Sequence, residues 1–139
     1  MCQTLEKIVG NRWREKEIKC YVVKYCKYSG ISNPLTIKLD TDTDYVINTL
    51  IHELAHILVS HSFKKYKKIE QKLKKRFPKE SQKTILHIYI NFLELKALKK
   101  IFKPDFIDKI FKRALNFGDI GRTYKIVLNK WNTLEKLFK

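Results

Sequence analysis

Apolar residues early in the chain do not keep one period. Leu5, Ile8 and Val9 recur at helical spacing, which predicts a helix over residues 4–17. Residues 18–28 (IKCYVVKYCKY) are rich in β-branched and aromatic types and predict a strand. On that strand Cys20 and Cys26 share one face, so both are expected in the core. Ser29-Gly30 and Asn33-Pro34 punctuate the chain. Leu35–Leu39 (LTIKL) alternates apolar and polar and predicts a second strand, half exposed, at a sheet edge. From Asp44 onward the period becomes helical, with helices expected over 44–61, 63–77, 80–103, 105–116 and 122–138. Pro78, Pro104, Gly118 and Gly121 supply the breaks. Two or three strands followed by four or five helices is an α+β pattern, mostly helical, in one domain over residues 1–139.

The run Asp40-Thr-Asp-Thr-Asp44 has the spacing of the first three ligands of a calcium loop. Tyr45 stands where that loop needs Gly, and Ile51 where it needs Glu, so the calcium reading fails. The acids are read as a helix N-terminus, where they cap amides and suit the dipole.

Composition narrows the function classes. A 139-residue chain that is 44% hydrophobic can bury roughly two-thirds of its unfolded surface, which excludes disorder. Thirty basic residues face fourteen acidic ones, for a net charge of +16. Lys spread over every exposed face reads as a solvated surface rather than as one binding patch. The N-terminus has no apolar signal core, and no apolar run is long enough to span a bilayer. A cytoplasmic protein with reduced cysteines and no membrane partner is therefore expected.

Residues 52–56 are His-Glu-Leu-Ala-His, the H-E-x-x-H pattern. With four His and so few Glu in the chain, chance would produce it with an expectation of about 0.006. On a helix, His52 and His56 lie one turn apart on one face and can share a zinc ion. Glu53, displaced by about 100° around the axis, can reach a metal-bound water as general base. From Tyr45 to Ser60 Glu53 is the only charged side chain, as expected of a carboxylate kept near a metal.

A catalytic zinc site needs a third protein ligand. His61, five residues after His56, would point away from the ligand face. Glu94 is the only charged residue from Thr84 to Leu95 and is preferred, because a lone buried acid needs a cation. His87 shares a helix face with Asn91 and Glu94 but lies about 10 Å from Glu94 along the axis, so both cannot bind one zinc. His87 is then expected to support the site or donate to the transition-state oxyanion, with Tyr89 and Tyr124 as further candidate donors.

HELAH on one helix with a Glu on a later helix resembles the gluzincin metallopeptidases, and the small size resembles the minigluzincins. The resemblance covers residues 35–95. Here Glu94 follows Leu93 where the family often has Asn, and Leu98 stands where it has Asp. It implies a zincin-like metallopeptidase domain, a zinc cofactor on His52, His56 and Glu94, and a peptide or protein substrate. It implies that the strand before the motif helix pairs with extended substrate through Leu35, Thr36, Ile37, Lys38 and Leu39. It also implies latency through a terminal segment, about residues 1–17, with Cys2 as a candidate thiolate lock.

Two alternatives stand beside it. Residues 64–83 hold ten basic and two acidic side chains, a solvated helix or a phosphate-binding stripe. With HExxH that stripe resembles SprT-like proteases, which act on DNA-bound proteins and take a His, here His87, as third ligand. The other alternative is a basic nucleic-acid-binding module with a non-catalytic zinc.

Overall fold

The computed structural model describes residues 1–138. The fold is built around helix α4 (Gln82–Ile101), which buries Ile85, Ile88, Tyr89, Ile90, Phe92, Leu93, Leu95, Ala97 and Leu98. A helix apolar on all sides must be enclosed, and the neighbours do that here. Helices α1 (Cys2–Val9), α2 (Thr43–Ser60), α3 (Phe63–Arg76), α5 (Pro104–Ala114) and α6 (Gly118–Asn129) pack directly against α4. Helix α7 (Trp131–Leu137) packs on α6 and seats Leu134 in the core. The architecture is α+β and mostly helical, as expected.

A small sheet covers α2. Its strands are β1 (Tyr21–Val23), β2 (Gly30–Ser32) and β3 (Leu35–Lys38), in the spatial order β1-β3-β2. β1 runs parallel to β3 and β2 antiparallel to it. Leu35 and Ile37 of β3 point into the core. The LTIKL segment is therefore the central strand, not an edge. Both its sides are already paired, so Leu35, Thr36, Ile37 and Lys38 cannot pair with a substrate, and the Leu39 amide is taken by Val23. The open edge beside the helices belongs to β2.

Three other boundaries differ from expectation for local reasons. The first helix stops at Val9 because Gly10 takes the left-handed conformation (φ 69°) and returns its amide to Glu6. The strand expected over 18–28 shrinks to three residues, because β3 offers only four to pair with. Cys20 is consequently exposed and Cys26 half-buried, and neither is a core residue. The last helix breaks at Lys130 into α6 and α7, and Gly118 and Gly121 lie inside α6.

The ends of the site-bearing helices are capped. The Asp42 side chain accepts from the Asp44 amide at the start of α2, and Ser81 accepts from the Thr84 amide at the start of α4. Arg113 of α5 clamps Asp40 with both guanidinium nitrogens, at 3.2 and 2.7 Å, and lies over the Tyr45 ring. Lys109 reaches both Asp42 and Asp44. The acidic run thus ties α5 to the start of the motif helix. No described helix is long and apolar enough to cross a membrane.

Candidate metal centre

Helix α2 carries His52, Glu53 and His56, and α4 crosses it with His87 and Glu94. Nitrogens of His52, His56 and His87 all lie within 4.8 Å of one another. His52 Nε2 and His56 Nε2 are 3.2 Å apart. The rings of His52 and His87 stack with centroids 5.7 Å apart, and His56 meets His87 edge-on at 5.2 Å.

Hydrogen bonds decide which nitrogen each ring presents. His52 Nδ1 donates to Glu94 Oε2 at 2.8 Å, and His87 Nδ1 donates to the Lys83 carbonyl at 2.8 Å. Each ring is left with a lone pair on Nε2, the form a metal requires. Burial, helped by the neighbouring imidazoles, pushes His56 down to about 3, and burial also lowers His87. Burial acts the same way on His52, but the charge and hydrogen bond of Glu94 outweigh it and raise that imidazole.

Glu94 is fully buried and makes two hydrogen bonds. Besides His52 it accepts from the Tyr124 hydroxyl at 2.5 Å. Burial and the Glu94 charge hold that phenol protonated, well above its ordinary value. Glu94 is thus occupied on the Nδ1 side of His52, away from the shared Nε2 side. The nitrogens that approach one another are thus those of His52, His56 and His87, whereas Glu94 of the expected set His52–His56–Glu94 meets His52 from behind. Such carboxylate–histidine pairs fix the tautomer and raise the basicity of a ligating imidazole. The donor set fits a zinc ion, with three imidazoles and room left for water or substrate.

The cluster opens into a cavity of about 460 Å³ lined by residues of α2, α4, α6 and β2. Glu53 lines it beside His52 and His87 and is buried. Burial pushes its carboxyl up, only partly offset by His52. Gly30 of β2 lies against Glu53. A Cβ there would stand 2.7 Å from Glu53 Cγ and 2.8 Å from Oε1, so only glycine lets the strand approach this closely. The Ser29 carbonyl accepts from the Lys38 amide, and antiparallel alternation then turns the Gly30 amide away from β3 toward the open edge.

The remaining candidates lie elsewhere. His61 follows α2 and faces Glu15 and Trp13. Tyr89 is packed between Tyr66 and Phe138, so it cannot serve as an oxyanion donor, and the Tyr124 proton is committed to Glu94. Cys2 is exposed in a second groove with Cys20 and Trp13 and does not lock the histidines. None of residues 1–17 lines the histidine cavity, and α1 buries Leu5 and Val9 in the core. Gly30 and the β2 edge are the features that sequence reasoning missed; a glycine between β-formers was the available signal.

Comparison with protein-family models, curated proteins and solved structures gives no match.

Proposed function

We propose that this chain is a zinc-dependent peptidase whose metal is held by His52, His56 and His87. The observation that carries the reading is the convergence of these three imidazoles, two of which, His52 and His87, line one cavity with Glu53. Bound zinc would supply Lewis acidity, polarising a scissile carbonyl and acidifying a water. The chain's residues do the rest. Glu53, raised by burial, takes the proton of the attacking water and returns it to the leaving amine. Glu94 and Tyr124 hold His52 in one tautomer and orientation. The open edge of β2 offers backbone groups to an extended peptide by strand addition, the role expected of LTIKL.

This ligand set departs from the gluzincin pattern, whose third ligand is a Glu. It agrees with the SprT-like resemblance, in which His87 is the third ligand, and that reading stands second for this reason.

The test is zinc per chain by elemental analysis, alongside cleavage of unstructured peptides. One zinc is expected in the wild type and in Glu53→Ala, with peptide cleavage lost only in the latter. His87→Ala is expected to lose most of its zinc. A folded wild type that takes up no supplied zinc would overturn the proposal.

A further inference from the structure

Six of the eleven large apolar side chains most exposed among the described residues come from one short stretch: Tyr21, Val22, Tyr25, Tyr28, Ile31 and Leu39. Tyr25 is 81% exposed and Leu39 59%. Sheet register brings the most prominent of them to one end. Val23 of β1 is level with Lys38, and the Ser29 carbonyl receives the Lys38 amide. The connection Lys24–Tyr28 therefore crosses the sheet at the Lys38–Leu39 end of β3. Tyr25, Tyr28 and Leu39 share that rim with Lys24, Lys27 and Lys38, all of them exposed. No acid occurs between Glu17 and Asp40, and among the described residues none of these three lysines pairs with a carboxylate. Lys24 and Lys27 instead lie against the rings of Tyr25 and Tyr28.

We infer that this rim docks on an anionic lipid surface. Solvated proteins seldom leave so many large apolar groups together, and such patches mark interaction sites. Three chemistries are combined here. Lysines are attracted to anionic headgroups, tyrosine rings suit the headgroup level, and aliphatic chains gain by leaving water. A nucleic acid would use the lysines and the rings but has no use for an exposed Leu39; a lipid surface uses all three. Because Tyr28, Ser29 and Gly30 also line the histidine cavity, docking would hold the mouth of that cavity at the membrane surface. This is peripheral contact, distinct from a membrane span.

The experiment is flotation with vesicles of phosphatidylcholine alone and with about 30% phosphatidylglycerol added, run beside fluorescence anisotropy with an oligo-deoxythymidine. It needs neither zinc nor catalysis, so its outcome is separate from that of the peptidase proposal. Anionic vesicles are expected to bind at least about tenfold more tightly than neutral ones. Tyr25→Ser with Leu39→Ser, and separately Lys24→Gln with Lys27→Gln, are each expected to lower partitioning about tenfold at fixed salt. These side chains are exposed, and circular dichroism would show that the fold is kept. The inference is overturned if neutral and anionic vesicles bind alike, or if the Tyr25/Leu39 variant partitions like wild type. Binding of the oligonucleotide but not of vesicles, lost with Tyr25, would replace the lipid by a nucleic acid.

Discussion

Glu94 shows how one residue's role turns on its neighbours. A lone carboxylate in an apolar helix needs a cation or donors, and that much was readable from composition along the helix. Whether the partner is a metal or a histidine depends on the angle at which α4 crosses α2, which no local pattern encodes. Here the carboxylate meets the back of His52 and the Tyr124 hydroxyl. Glu94→Gln and Tyr124→Phe are each expected to weaken zinc affinity about 10–100-fold without removing a ligand, measured by competition with a chelator. Gly30→Ala is expected to push the Glu53 carboxylate aside and so lower peptide cleavage while leaving zinc content unchanged. Metal analysis and a cleavage assay on the same sample would check this, and loss of zinc would show that Gly30 matters to the whole site instead.

Among the elements, the long helices and a small sheet before the motif helix were legible, and the order of the strands was not. HELAH and the TILHIYINFLEL run sit in helices whose bounds differ from the periodic pattern by only a few residues, because tertiary burial and local propensity agree there. The sheet depends on non-local pairing, so a half-polar LTIKL that reads as an edge becomes the centre once β1 and β2 flank it. The acidic run was read as a cap, and it also grips α5 through Arg113 and Lys109. Arg113→Ala is expected to cost about 1 kcal/mol at neutral pH, a modest figure because the pair is partly solvated. Hydrogen bonds from Arg113 and Lys109 hold Asp40 and Asp42 below the usual carboxylate range. A depressed carboxylate contributes stability above its unfolded value and loses it as pH falls through the folded one. The gap between wild type and variant should therefore hold steady from pH 7 to about 5 and close below about 4, as thermal unfolding against pH would record.

For the whole molecule, the N-terminal segment matters most. Its amphipathic pattern was visible, but its partner was not, since α1 packs on α4, far along the chain. Leu5 is fully buried, so Leu5→Ala is expected to destabilise by about 2–5 kcal/mol in denaturant unfolding. Removing α1 altogether should loosen the fold and leave the histidine cavity no more accessible to peptide, contrary to what a detachable plug would do. Limited proteolysis with a cleavage assay distinguishes the two.

The histidine cluster also has a place in time. Glu94 follows His52 by 42 residues, and Tyr124 follows Glu94 by a further 30. At 5–20 residues per second, a growing chain carries the HELAH motif for roughly 4–14 s before Tyr124 is made. For roughly the first half of that interval His52 and His56 are present without His87, and until its end Glu94 lacks Tyr124. The centre is thus completed only once α6 is made, and a ribosome-bound fragment ending before α4 holds His52, Glu53 and His56 alone.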